Sequence, residues 1–543
     1  MIPQGLQGCD RRNELFAGDR NMPIRLAHVI RQVLSVAVAI GVSAAAHAEV
    51  KPNGVFGDHM VIQRGKPIHV YGTAGTGEAV SVSLNGQSRQ TTADASGQWR
   101  VELPAMDAGG PHLLQVGSRQ FRDVMVGEVW LASGQSNMDL SLARVGQAEI
   151  PANDQIRYFR QEALAAMTPS DQARGQWRTA GPESASEFTA VGYYFAARLQ
   201  KELGLTVGIV EASQGSTSIQ QWMPLEAWAK FSSPDWVARF RSKAAEFDAA
   251  YARTIEELDK LDPQTLGRDY QKAHREVRRK YGPDLKSARL EIDGGLPCTM
   301  WNDHVAPFRH FGIRGWIWYQ GEFDTGLYGS AKPAGYADRQ RALVQAWREQ
   351  WGEPAMPFYY VQLPNYGAEE KRSGESTDDN WAVLRNEQRL ALDVPHTAMV
   401  ITLDVGGALH PPMKQPVGER LASAALANTY GRPTVWSGPL PVSAVVEGEL
   451  IRVRFEHAEG LADPTGGELE GFAVAPLQEA TRKGAPALRP ASAKIDGPDV
   501  LVSIPADMAP AWVYYACHQN PKVELVNKAG LPASPFILPV SKK

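Results

Sequence analysis

Residues 124–138 read VMVGEVWLASGQSNM. An apolar run of that length, closing on a Gly-Gln-Ser-Asn turn, predicts a buried strand that delivers a polar loop at its C-terminal end. Three similar runs follow: TVGIVEAS at 206–213, GIRGWIWYQG at 312–321 and PFYYVQLP at 357–364. Between them lie amphipathic stretches with helical spacing, VGYYFAARLQKEL at 191–203 and RQRALVQAWREQW at 339–351. Apolar strands alternating with amphipathic helices predict an α/β domain built on a parallel sheet.

The flanks have a different texture. Before residue 124, PIHVYGTA, AVSVSLNG and QWRVELP are short alternating runs cut by Gly and Asn-Gly, the pattern of a small β-sandwich. Such a module serves as scaffold or binds carbohydrate. From about residue 431 the short strands return, as in SAVVEGELIRVRFEH, DVLVSIP and AWVYYA. Residues 225–291 break the alternation with FRSKAAEFDAAYARTIEELDKL and RDYQKAHREVRRKYG. These charged, helix-favouring runs predict an inserted helical hairpin with solvated faces. The expected division is therefore 1–48, 49–123, 124–430 with the insertion at 225–291, and 431–543. A length of 543 residues fits about three to four domains at the usual ~150 residues each.

Residues 31–48, RQVLSVAVAIGVSAAAHA, carry an apolar run behind Arg25 and Arg31, and end in Ala46-His47-Ala48. That is the form of a secretory signal cleaved after Ala48, with Met22 as the natural start. The apolar run is shorter than the about 20 residues needed to span a bilayer. The expectation is an exported protein, periplasmic or extracellular, with no membrane partner after cleavage. Lys plus Arg number 56 against 60 Asp plus Glu, for a net charge of −4, so the basic excess of a nucleic-acid binder is missing. Cys298 and Cys517 would remain after cleavage, and two free thiols are expected rather than a bridge. No Cys/His cluster has zinc-ligand spacing, and neither a metal nor an organic cofactor is expected. Oligomeric state is not legible.

Chemistry concentrates in four segments. Ser136, on the turn after the first strand, would present its hydroxyl and N–H outward, although a capping serine would look the same. A serine needs a base to become a nucleophile. His410, in the Gly/Pro-rich loop DVGGALHP (404–411) after the strand HTAMVITLD, has the side chain suited to that work. Gln320 and Glu322, in WYQGE (318–322), could supply an oxyanion donor and a group that orients the histidine or a substrate hydroxyl. Gly215, in SQGST (213–217), lets a backbone N–H approach a ligand closely.

Taken together, these segments resemble the sialate O-acetylesterases, members of the SGNH hydrolases. GQSNM, the S-x-G-x-T-x-I-x-x-W block, WYQGE and the H-P-x-x-K-Q-x-V-G-E-R-L-A run carry the resemblance. Trp301-Asn302 with Pro307, VQLPNY at 361–366, WAVLRNEQ at 381–388 and LVNKAGLPASPF at 525–536 extend it. The resemblance implies a three-layer α/β/α domain of SGNH type flanked by β-sandwich-like modules, and a serine esterase that removes O-acetyl groups from a carbohydrate through an acetyl-enzyme. Acetylated sialic acid, xylan or xyloglucan would be the substrate. Ser136 matches the nucleophile and His410 the base. The Ser136 and Gly215 N–H groups and the Gln320 side chain would form the oxyanion hole. Gln135, Trp222, Asn302 and Glu322 would bind substrate, with Trp318 and Tyr319 also expected against the sugar ring. Many SGNH enzymes place a carboxylate two or three positions before the histidine. Here those positions are Ala408 and Gly407, so Asp404, Glu322 or no acid at all would orient His410, with Asp404 the first candidate. Two other readings stay open: a non-catalytic carbohydrate-binding protein, and a glycosidase working with Glu322 and Asp404.

Overall fold

A computed structural model describes residues 49–543 apart from 148, 164, 259, 262–264, 266–268, 283–294, 327–331, 368–379, 465, 467–468, 478–487, 524 and 543. The expected signal at 31–48 lies outside the described residues. Val50–Lys543 form one compact unit.

The central element is strand β1 (Arg119–Gly134), buried without interruption from Val124 onward. With it run β2 (Asn153–Arg160), β3 (Trp177–Ala180), β4 (Val207–Ser213), β5 (Gly315–Tyr319), β6 (Phe358–Val361) and β7 (Thr397–Val400). Their order across the sheet is β3-β2-β4-β1-β5-β6-β7. All neighbours pair in parallel except β2 with β3. The apolar runs at 124–134, 206–213, 312–321 and 357–364 thus do form strands of one sheet, as their near-continuous hydrophobicity predicts for strands covered on both faces.

The cover is visible in the ring contacts. Trp316 and Trp318, two residues apart on β5, share one face and pack on Trp347 of helix α5 (Tyr336–Trp351) at centroid distances of 5.8 and 5.7 Å. On β1, Trp130 packs against Phe195 of helix α2 (Ala190–Leu203) at 5.2 Å. Thr189 caps α2 by accepting from the Gly192 N–H, and Gly204 ends it in the left-handed region. Helix α7 (Gln415–Asn428) lies against α2. Truncating any of these buried rings to Ala removes packing of the kind that costs about 3–5 kcal/mol.

The insertion contains helices α3 (Pro234–Leu258) and α4 (Tyr270–Tyr281), which contact each other. Helix α3 buries Trp236, Phe240 and Phe247. It is tied to the loop after β2 through Asp248, which accepts from the Met167 N–H at 3.1 Å, and through Tyr251, bonded by Arg174 at 2.6 Å.

Both flanking regions are β-structure. Strand 61–63 pairs in parallel with residues 125–127 of β1, and strand 109–116 pairs with β1 antiparallel. β1 therefore runs without a break from the N-terminal strands into the central sheet, and residues 123 and 124 lie inside it. Among the described residues the C-terminal region forms an eight-stranded sheet spanning strands from Leu440 to Ser541. It has its own core, in which Phe536 meets Phe455, Phe472 and Tyr515 and Phe472 also meets Tyr515.

Candidate active site

The strand order reverses beside β1: the chain continues outward to β2, returns to β4, then crosses to β5. Such a switch point opens a crevice at the C-terminal ends of the strands. The loops after β1, β4 and β5 carry Ser136, Gly215 and Gln320. The longer loop after β7 carries His410.

Ser136 is the first residue of the short helix α1 (Ser136–Asp139). Gly134, at φ +132°, makes the preceding turn possible. A Cβ there would collide with the Tyr319 carbonyl, and the Gln135 N–H bonds that same oxygen at 2.9 Å. The Ser136 hydroxyl lies 2.8 Å from His410 Nε2. Gly215 packs directly on Ser136, since a Cβ built on it would stand 3.4 Å from Ser136 Cβ. Neither the Ser136 nor the Gly215 N–H has an acceptor among the described residues. An N–H in the first turn of a helix has no partner within the helix.

His410 is exposed on its loop. Partial burial, the Lys414 ammonium and the Arg144 guanidinium hold its pKa below the ordinary imidazole value, which favours the neutral ring that can accept a proton. Its Nδ1 has no partner among the described residues. Asp404, the first candidate to orient it, is engaged elsewhere: both its oxygens accept from Arg420, one at 2.7 Å and one at 2.5 Å. Six residues of separation left that choice open in the sequence, and the fold turns the carboxylate toward helix α7.

A buried polar chain supports the pair from behind. The Asn137 side chain donates to Glu322 Oε1 and to the Leu409 carbonyl at 3.0 Å, one residue before His410. Lys414 Nζ donates to Asn137 Oδ1 and stands 5.4 Å from the Tyr319 ring centroid. Burial pulls the Lys414 pKa down to about 7, against the opposing Glu322 charge. Burial likewise raises Glu322, against its Asn137 bond and the Lys414 charge. Glu322 is 2% exposed, so it sits beneath the site and does not line it. Asn137 and Lys414 were missed as functional residues. Their only signal was membership in the GQSNM and H-P-x-x-K segments.

Other expected contacts are placed differently. Gln320, expected as an oxyanion donor, is fully buried. Its Nε2 donates to Asp324 at 2.6 Å, to the Thr217 carbonyl at 3.0 Å and to Gln135 at 3.2 Å, while its oxygen accepts from Tyr336. Two N–H bonds already shared among three acceptors leave none for a substrate. Asp324, pushed up to about 6 by burial, also accepts from the Ile219 N–H and so braces the segment after Gly215. Gln135 accepts from the Gly321 and Phe323 N–H groups and joins the β1 and β5 turns. Trp222, Trp318 and Tyr319 have no exposure at all; Trp222 bonds Thr217 and meets Trp318 edge-on at 5.7 Å. They are core, not sugar platforms. Asn302 lies in the turn Trp301–Val305, 2% exposed, with its amide on the Ala166 carbonyl. Cys298 and Cys517 are not joined in a disulfide; the Cys517 thiol donates to the Phe536 carbonyl at 3.1 Å. Among the described residues no group of three or more His, Cys, Asp or Glu side chains could hold a metal ion. No helix among them is long and apolar enough to cross a membrane.

Comparison with known proteins points one way. Residues 299–427 match the family described as carbohydrate esterase, sialic acid-specific acetylesterase. The sialate O-acetylesterase of Rattus norvegicus is 26% identical over 466 residues, covering 74% of this chain and 78% of that protein. The sialate O-acetylesterase of Homo sapiens is 24% identical over 447 residues, covering 70% and 72%. Among solved structures, a carbohydrate acetylesterase from Xanthomonas citri is 31% identical with a TM-score of 0.71, covering 90% of this chain and 99% of its own. With that identity held over nearly the whole of a carbohydrate acetylesterase, this chain belongs to the sialate O-acetylesterase family of carbohydrate esterases.

Proposed function

We propose that this protein is a serine esterase that removes acetyl groups from the hydroxyls of a carbohydrate, through an acetyl-enzyme on Ser136. The observation that carries the reading is the 2.8 Å contact between Ser136 Oγ and His410 Nε2, beside two backbone N–H groups without acceptors among the described residues. A nucleophile within hydrogen-bond reach of its base is the arrangement acyl transfer needs.

His410 Nε2 takes the Ser136 proton as Oγ attacks the acetyl carbon. The carbonyl oxygen becomes an oxyanion facing the Ser136 and Gly215 N–H groups, each donor of this kind contributing about 3–4 kcal/mol. As the C–O bond to the sugar breaks, His410 protonates the departing sugar oxygen. Water, deprotonated by His410, then attacks the acetyl-serine, releasing acetate and restoring Ser136. Asp404 has no part in this cycle. Ser136 and His410 act as a dyad whose base is placed by its loop and by Asn137 beneath it.

The parallel sheet with helices against Trp130 and Trp316 supports the SGNH-type three-layer assignment for 124–430, with β modules before and after it. The signal pattern ending at Ala48 supports export to periplasm or medium. With the aromatic residues of the site buried, recognition of the sugar falls to the loops around the crevice. The test is acetate release from acetylated xylan, xyloglucan oligosaccharides and O-acetylated sialic acid, by the protein and by Ser136→Ala. Release that disappears with Ser136 is expected. Release that survives the substitution would move the reading to another nucleophile, and no release from any substrate would favour a binding protein or the Glu322–Asp404 glycosidase.

A further inference from the structure

Two of the family-like segments, VQLPNY and WAVLRNEQ, have no part in the chemistry above. In the fold they meet. Arg385, on helix α6 (Asn380–Leu390), is fully buried. Its guanidinium donates to the Leu363 carbonyl at 2.9 Å and the Pro364 carbonyl at 2.5 Å. It also donates across to the C-terminal region, to the carbonyls of His518 at 2.9 Å and Gln519 at 3.0 Å. Asn365 donates to the Pro521 carbonyl at 2.6 Å, Asn520 to the Gly367 carbonyl at 2.9 Å, and the Tyr366 N–H to Gln519 at 3.1 Å. Loop 363–367 is thereby fastened to segment 518–521.

The same loop carries the strap of the catalytic base. The Gly407 N–H donates to the Asn365 carbonyl at 2.8 Å, and the Gly367 N–H donates to the Gly407 carbonyl at 3.1 Å. Gly406 lies flush on Asn365; a Cβ there would fall among the N, Cα and O atoms of that residue. His410 follows three residues after Gly407. It has no Nδ1 partner among the described residues, so its position depends on this loop and on the Asn137 bond to Leu409.

We propose that Asn365 and Arg385 are positioning residues for His410, and that segment 518–521 of the C-terminal β region completes the active site by clamping the loop they build. The proposal rests on the esterase reading above. It assigns the C-terminal region a role in catalysis without contact to substrate.

The experiment compares the full protein with Ser136→Ala, Asn365→Ala, Asn520→Ala, Arg385→Lys and Arg385→Met, using 4-nitrophenyl acetate. It measures kcat, KM, the acid limb of the pH profile and the melting midpoint. Loosening the strap displaces the base, so Asn365→Ala and Asn520→Ala are expected to lower kcat about ten- to hundredfold. KM should stay within about twofold, because transition-state placement and not binding is lost. The acid limb should move upward as His410 gains water. Arg385→Lys should keep more kcat than Arg385→Met. If Asn365→Ala does not fold, Asn520→Ala decides, since it removes one bond from a half-buried residue. A lower melting midpoint with kcat and acid limb unchanged would overturn the clamp alone, provided Ser136→Ala is inactive. An active Ser136→Ala would overturn the esterase reading and the clamp with it.

Discussion

Lys414 Nζ and Asn137 Oδ1 share a buried hydrogen bond that joins the start of helix α7 to the residue following Ser136. Through the other end of the Asn137 side chain the connection reaches Glu322 and the Leu409 carbonyl. The loop bearing His410 and the turn bearing Ser136 are thus tied to one amide. An ammonium and a carboxylate stand on either side of it, both buried.

Replacing one charged end exposes how they depend on each other. Lys414→Met is expected to destabilise the fold by about 3 kcal/mol, because it leaves Glu322 buried without its compensating charge. The double variant Lys414→Met/Glu322→Gln should lose less than the sum of the singles, the signature of coupled neighbours. Urea midpoints at fixed pH measure both; strict additivity would show that the two charges do not interact through Asn137.

The pH dependence of kcat/KM has a definite sign. Deacetylation needs neutral His410, and the site holds the His410 pKa below 6.5 through burial first, then Lys414 and Arg144. The acid limb of the profile should therefore fall below that value. Lys414→Met removes a cation that opposes protonation, so its limb should move toward higher pH. Movement to lower pH would contradict the assignment of His410 as the titrating base.

Asp404 separates the dyad from a triad. Its carboxylate pairs with Arg420 at a partly exposed site, where an ion pair is worth about 0–1 kcal/mol. Asp404→Asn should keep kcat within about threefold, whereas Ser136→Ala should lose about a thousandfold or more. A loss from Asp404→Asn that approached that of Ser136→Ala would restore the acid to the catalytic set.

Arg144 bears on the substrate class. It lies on the turn Ala143–Val145 after the nucleophile helix, with a side chain 62% exposed and its nearest anion, Asp139, at 3.9 Å. Weakly paired and near enough to His410 to lower its pKa, this guanidinium is the group on which to test whether the proposed substrate carries a carboxylate. Arg144→Gln is expected to raise KM severalfold for O-acetylated sialic acid and to leave neutral acetylated xyloglucan unaffected. Equal changes on both substrates would show that Arg144 does not read the sugar's charge.

Hydrophobic periodicity by itself determined the parallel sheet. Runs such as 124–134 and 206–213 bury side chains on both faces, and that requirement is written into consecutive residues. It also determined that Ser136, Gly215 and Gln320 would gather at one edge, because parallel strands all end on the same side. What it left undecided were contacts between segments far apart in the chain. Asp404 and Glu322 are both acids near strand ends. Only the fold turns the first toward Arg420 and buries the second behind Asn137. Gln320 and Trp222 have side chains that suit a substrate, and only packing shows that each already has its partners. The strap from Arg385 through Asn365 to His410 joins residues from three stretches of chain, with carbonyl oxygens as acceptors throughout. Backbone acceptors have no residue identity, so no pattern of side chains could announce them.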